Sequence, residues 1–373
     1  MSTDHRTETS TSFSALWHSE SATPPPGRVI EADDRMKAET AYRLACEGTA
    51  LLWRGDFHNA RQLLQAMRRR CDRKPVRHGA DSAESFHLHR RARGHRARVL
   101  GRLIVLLDND YRVNLRRAPD VRAACIEAYG PPGQPMALAL TELLGVMGAH
   151  RWRATGVAVP VLEARIHPHY GVFSPVRGEY VDLVARAPLP ELGGRRRTAF
   201  DLGTGTGVLA AVLARRGIEH IVATDISPRA LACARENIGR LDYTRRIEVT
   251  GPRLFPDGRA DLIVCNPPWI PARPTSAVEQ GVYDPDGAML RDFLAGLTTH
   301  LEPGGEGWLV LSDLAEHLGL RTREDLLSRI RTAGLHVVDR IDTRPRHPRA
   351  SDTTDPLHVA RAAEVTSLWR LTG

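Results

Sequence analysis

Short apolar runs and segments with apolar residues at helical spacing alternate along the second half of the chain. The β-rich runs fall at 199–202, 220–224, 247–249, 261–265 and 308–311, and helical patterns lie between several of them, at 208–216, 228–239 and 288–301. This alternation predicts a parallel sheet with helices on both faces. Two later runs, 336–341 and 366–371, supply further strands. The first half has another rhythm. Residues 38–70 show helical spacing interrupted near Gly55-Asp56, 92–107 carries Val99, Leu103 and Leu106 on one helical face, and Pro131-Pro132-Gly133 separates helical patterns at 121–129 and 138–147. An all-helical unit is expected over 34–157, followed by an α/β domain over 158–373. Residues 1–33 are rich in Ser, Thr and Pro, include Pro24-Pro25-Pro26, and are expected to be disordered.

Composition adds limits. A chain of 373 residues with 42% hydrophobic content has room for two domains. No run of 18 apolar residues occurs, so no membrane span is expected. The first residues lack a basic segment followed by an apolar one, so no secretory signal is read and a cytoplasmic location is expected. The five cysteines, Cys46, Cys71, Cys125, Cys233 and Cys265, are scattered without a C-x-x-C pair, which argues against a zinc site and a disulfide framework. His167 and His169 flank Pro168 with no further clustered ligands, so that segment reads as a loop and no metal is expected. No G-x-S-x-G elbow is present for a serine hydrolase.

The net charge of +8 invites a nucleic-acid partner. Yet 50 of the 52 basic residues are arginine, a bias that need not report a ligand. Distribution says more. Residues 54–122 hold 18 basic against 7 acidic side chains, and the rest of the chain is close to neutral.

Candidate chemistry concentrates at two places. The segment 198–209 reads as strand, glycine-rich turn and helix, with Gly203, Gly205 and Gly207 letting the backbone turn sharply and approach a ligand. Thr204 lies between the first two glycines. Asp201 ends the strand, where a carboxylate suits a ligand ammonium group. Asp225, followed by Ile226, ends the next strand about 20 residues on, where an acidic residue can hold ribose hydroxyls. A dinucleotide turn needs G-x-G-x-x-G, and here Val208 stands where the third glycine would fall. An adenosine ligand without a pyrophosphate fits better, and S-adenosylmethionine is of that kind.

The second place is Asn266-Pro267-Pro268-Trp269, directly after an apolar strand. The two prolines fix their own φ and push their predecessors into extended geometry, so the turn is rigid. It sits at the carboxyl end of a strand, where open α/β sheets bind ligands. The Asn266 side-chain oxygen and the Pro267 carbonyl can each accept an N–H from a planar amide or amine. Two fixed acceptors aim the nitrogen lone pair at a methyl carbon, which is catalysis by positioning. Trp269 offers a flat surface to a planar acceptor.

D-L-G-T-G-T-G at 201–207, Asp225 and N-P-P-W at 266–269 together resemble class I S-adenosylmethionine-dependent methyltransferases, nearest the HemK/PrmC-like branch that methylates glutamine in release factors. Sister branches with this tetrapeptide act on exocyclic amines of nucleic-acid bases. The resemblance covers roughly 165–373. It implies an α/β fold, a Rossmann-like seven-stranded methyltransferase sheet with its last strand antiparallel, which follows the N-terminal all-helical domain that the apolar spacing predicts. It also implies that the segment 171–180 closes over the site, with Phe173, Pro175, Arg177 and Glu179 lining it beside Trp269 as substrate-binding residues, and that the stretch 283–290 is the acidic loop following the tetrapeptide. Two positions depart from the pattern. Arg253 stands where the family usually has an acidic residue near the adenine, so no adenine contact is assigned. Trp269 stands where the branch commonly has Tyr.

Three functions remain open: protein glutamine N5-methylation of HemK type, methylation of an RNA or DNA exocyclic amine, and a non-catalytic methyltransferase-fold adaptor. The partner is accordingly a macromolecule, either a release-factor-like protein or a nucleic acid. The basic stretch 54–122 favours nucleic acid, while its few aromatics, Phe57, Phe86 and Tyr111, offer no evident stacking platform. Oligomeric state is not legible.

Overall fold

In the computed structural model, the described residues are 15–73, 79–191, 197–276, 278–345, 352–353 and 355–373. The chain divides into two compact units, one of residues 1–78 and 87–151, the other of 79–86 and 152–373.

The first unit is not all-helical. Its elements are β1 (Leu16–Trp17), β2 (Val29–Ala32), α1 (Ala38–Cys46), β3 (Ala50–Trp53), α2 (Phe57–Asp72), α3 (Ser82–Leu100, which begins in the second unit's residues), β4 (Leu103–Leu107), α4 (Arg122–Tyr129), β5 (Met136–Ala139) and α5 (Leu140–Thr155, which ends there). The strands form one sheet in the order β1-β5-β4-β3-β2. β2, β3 and β4 run parallel, and β5 is antiparallel to β4. The physical reason for the difference is burial. ALLW in β3 is buried throughout, and LIVLL in β4 nearly so. A strand covered on both faces shows no alternation, and a short apolar run beside helical segments reads as their continuation. Asp56 makes the break between β3 and α2 a true helix start: its carboxylate accepts the His58 N–H at 2.8 Å.

Nor are residues 15–33 disordered. Leu16 and Trp17 pair with β5, Val29–Ala32 pair with β3, and Val29 and Trp17 join the small core of Ala50, Leu52 and Ile104. A few apolar residues suffice when a preformed sheet edge supplies the hydrogen bonds. The expectation for residues 1–14 lies outside the described residues.

The second unit is the α/β domain that the alternation predicts. A hairpin of β6 (Val157–Val159) and β7 (Ala164–Ile166) leads to α6 (Glu179–Arg186). Then follow β8 (Thr198–Leu202), α7 (Val208–Arg215), β9 (His220–Thr224), α8 (Pro228–Arg240), β10 (Ile247–Thr250), β11 (Ala260–Cys265), α9 (Ala288–His300), β12 (Leu301–Ser312), α10 (Leu314–His317), α11 (Arg323–Thr332), β13 (His336–Thr343), α12 (His358–Ala363) and β14 (Thr366–Thr372). The seven-stranded sheet has the order β10-β9-β8-β11-β12-β14-β13, with β14 antiparallel to both neighbours. All six residues of β11 are buried, as befits a central strand covered on both faces. β13 is the outer strand, largely exposed and carrying Asp339, Arg340 and Asp342, charges that discourage edge pairing. Chain order reverses between β8 and β11, so their carboxyl ends open the crevice where such sheets bind ligands. Among the described residues no helix is long and apolar enough to cross a membrane.

Candidate active site

The glycine loop joins β8 to α7 at that crevice. Gly203, Gly205 and Gly207 have φ of +70°, +55° and +80°, left-handed values that side chains resist. The loop is clamped from inside. Thr204 N–H donates to the Thr224 carbonyl at 2.8 Å, and Gly207 N–H donates to the Thr204 carbonyl at 2.8 Å. Sequence reasoning aims Asp201 at a ligand ammonium; the structure turns it inward. Its side chain is buried, and Oδ2 accepts the Thr204 hydroxyl at 2.6 Å and the Ala210 N–H at 3.0 Å. The first-turn N–H groups of a helix lack intrahelical partners, and Asp201 satisfies one of them. Burial raises its pKa to about 6.

Asp225 follows β9, adjacent to β8. Its Oδ2 accepts the Gly205 N–H at 3.0 Å and its Oδ1 the Ser227 N–H at 2.8 Å, and burial raises its pKa. Ile226 beside it is 73% exposed, an apolar surface at the crevice rim. Arg253, the departure near the adenine position, is turned to Asp257 at 2.9 Å.

Asn266 to Trp269 leave β11 on the other side of β8. Pro267 is buried, and Asn266, Pro268 and Trp269 are half-buried. Trp269 Nε1–H donates to Asn266 Oδ1 at 2.8 Å, which fixes the orientation of the carboxamide. A carbonyl oxygen has two lone pairs, so one remains for a second N–H donor.

The segment 171–180 does reach this place. The Arg177 guanidinium lies over the Trp269 ring, 5.0 Å from its centroid, and Arg177 Nε donates to Glu179 Oε1 at 3.0 Å. Phe173 packs on the chain that follows the tetrapeptide: a Cβ on Gly281 would stand 2.6 Å from Phe173 Cβ. Pro175 is buried. The stretch after the tetrapeptide folds back, with Ile270 bridged to Tyr283. Asp284 then caps α9, accepting the N–H groups of Met289 at 3.0 Å and Leu290 at 3.2 Å. Four residues were not singled out by sequence reasoning: Asp284 in its capping role, Met289, Ser312 and Glu364. Met289 Cε would lie 2.5 Å from a Cβ on Gly203, so the methionine rests on the glycine loop. Glu364 accepts from Arg177 Nη2 at 2.8 Å and from the Ser312 hydroxyl at 2.6 Å. Ser312 ends β12 and Glu364 follows α12, both far along the chain and without a motif.

His167 and His169 are loop residues that fasten the chain to α8. The backbone N–H of His167 donates to Asn237 Oδ1 at 2.7 Å, and His169 Nε2 lies 2.7 Å from Glu236 Oε2.

The left-handed glycine loop, the carboxylate after β9 and the N-P-P-W turn after β11 are the features by which the chain resembles class I methyltransferases. In keeping with this, residues 163–328 match the family model described as "Methyltransferase small domain". Among curated relatives, a release factor glutamine methyltransferase of Cereibacter sphaeroides is 40% identical over 123 residues, 29% of this chain and 44% of that protein. A ribosomal protein L11 methyltransferase of Vibrio parahaemolyticus is 33% identical over 94 residues, 25% of this chain and 32% of that protein. The chain thus spans less than half the length of either relative. A solved methyltransferase structure from Pyrococcus furiosus aligns over 61% of this chain and 98% of its own, at 19% identity and a TM-score of 0.41.

Proposed function

We propose that the chain is an S-adenosylmethionine-dependent N-methyltransferase whose acceptor is a planar amide nitrogen, a protein glutamine side chain of the release-factor kind. The observation that carries this reading is the Asn266 carboxamide, locked by Trp269 at the carboxyl end of β11 beside the glycine loop. The crevice suits the cofactor on its own features. The left-handed loop permits close approach, Asp225 directly follows β9 where a carboxylate can hold ribose hydroxyls, and Ile226 offers an apolar face. Once bound, the cofactor supplies a methyl group already activated by a sulfonium. Asn266 Oδ1 and the Pro267 carbonyl accept the two N–H bonds of the acceptor and aim its lone pair at the methyl carbon. With the cofactor bound, methyl transfer would break its carbon–sulfur bond as the nitrogen–carbon bond forms, and the N–H proton would pass to water, so these residues need only position the acceptor and need not act as a strong base. Similarity to the release factor glutamine methyltransferase supports the glutamine assignment.

The test uses purified full-length chain, tritiated cofactor and extract from a deletion strain. Asn266→Ala is expected to lower transfer at least about 100-fold, the scale of a lost positioning contact, with cofactor affinity nearly unchanged. Undiminished transfer sinks the site assignment. Label is expected in protease-sensitive material at glutamine N5.

One observation favours a second reading, methylation of an RNA or DNA exocyclic amine. In the first unit, α2 and α5 enclose a groove of about 350 Å³ with Leu64, Leu144 and Met147 as its apolar lining and Arg61, Arg68 and Arg151 beside them. Clustered guanidinium groups of this kind suit phosphates. Label that vanishes with nuclease selects this reading and rules out the glutamine one.

A further inference from the structure

We propose that Glu364 is a positioning residue for the Asn266 carboxamide, acting through Arg177 and Trp269. The inference rests on the reading of Asn266 as the group that orients the acceptor nitrogen. Glu364 lies just before β14, at the carboxyl end of β12, and is 1% exposed. The adjoining Val365 is fixed to Asp313: Asp313 N–H donates to the Val365 carbonyl at 3.0 Å, and Val365 N–H donates to the Asp313 side-chain Oδ1 at 2.7 Å. Its Oε1 accepts from both Ser312 and Arg177, whereas Oε2, although sealed from solvent, meets no donor among the described residues. A buried carboxylate with one idle oxygen is costly, and a neutral side chain would pack there more cheaply. Its presence is explained by what it holds.

Arg177 is gripped by two carboxylates, Nη2 on Glu364 and Nε on the buried Glu179. That double grip sets the guanidinium across the Trp269 ring, where cation–π attraction fixes the indole. The indole N–H is donor only, so its bond to Asn266 Oδ1 decides which end of the carboxamide is the oxygen. A chain of four side chains therefore runs from a strand end to the amide that meets the substrate. A phenol at position 269 would not offer this indole donor, which gives the Trp in place of the commoner Tyr a physical role.

The experiment reads hydrogen exchange of the tryptophan indole N–H signals of the full chain by ¹⁵N NMR, with Trp269 assigned by the signal that disappears in Trp269→Phe. Glu364→Gln and Arg177→Met are each expected to speed Trp269 indole exchange about 10-fold or more, the scale of a lost hydrogen bond. The Trp308 indole, bonded to Glu306 at 2.9 Å, serves as the internal reference and is expected to stay unchanged. The kcat for methyl transfer is expected to fall in both variants while cofactor affinity holds. Unchanged Trp269 exchange in both variants overturns the proposal, and so does equal acceleration at Trp308, which marks general loosening. Exchange is read without any acceptor present, so absence of transfer by the wild-type chain counts against the proposed function and leaves this result readable.

Discussion

Two aspartates at neighbouring strand ends show how much one side chain's surroundings decide. Asp201 and Asp225 both look like ligand carboxylates in the sequence. Asp225 stands at the crevice rim beside the exposed Ile226, while Asp201 is buried under the loop it organises. Its pKa rises from 3.8 to about 6 because burial disfavours the charge, against the opposing bonds from Thr204 and Ala210. The folded chain therefore holds this proton more tightly than the unfolded chain. The group's contribution to stability is fully present below about pH 4 and is lost as pH rises through about 6. At about 1.4 kcal/mol per pK unit the change is of order 3 kcal/mol. Asp201→Asn keeps an acceptor oxygen and removes the titration. Urea denaturation at pH 4 to 7 should show wild type gaining on the variant as pH falls across this window. A stability difference that stays flat with pH would refute the assignment.

At the scale of elements, legibility followed punctuation. Glycine, proline and capping residues separate the strands and helices of the second unit: Gly203 to Gly207 before α7, Ser227-Pro228 before α8, Asn266-Pro267-Pro268 after β11. Ser227 accepts the Ala230 N–H and Pro228 opens the helix, a start signal visible in the sequence. All seven strands were readable for that reason. In the first unit the marks around β4 and β5 are incomplete, although Pro131-Pro132-Gly133 precedes β5. Gly101-Arg102 alone separates α3 from β4, and nothing separates β5 from α5. Tertiary burial, not local pattern, makes those runs strands. The loop glycines differ in what they protect. A Cβ on Gly203 meets only the flexible end of Met289, whereas on Gly207 it would come within 3.3 Å of the Ala234 backbone in α8, at φ of +80°. Gly207→Ala should cost about 1–3 kcal/mol and weaken cofactor binding by forcing α7 from α8. Equilibrium unfolding and isothermal titration together check this, and wild-type values in both would show that the close approach is unimportant.

At the scale of the whole molecule, the site draws on residues from distant parts of the chain. Asn266, Arg177 and Glu364 span much of the second unit's sequence, which is why the tetrapeptide was legible and its support was not. The same unit also recruits residues 79–86, from well before its main body. Phe86 is 1% exposed and sits in a core with Ile270, Tyr283, Leu314, Leu318 and Leu357, with Trp269 packed at its border. Ile270 directly follows the tetrapeptide, and its bridge to Tyr283 shapes the return of the chain to α9. This core is small, so one large aromatic is a substantial part of it. Phe86→Ala should cost about 3–5 kcal/mol, the usual range for a buried aromatic. The loss should be felt at the site, because the cavity opens against the segment that seats Trp269 and Asp284. Denaturation of the full chain gives the first quantity, and accelerated amide exchange across 269–284 gives the second. A loss below about 1 kcal/mol, the scale of an ordinary surface change, would mean that residues 79–86 rest on the second unit without stabilising it.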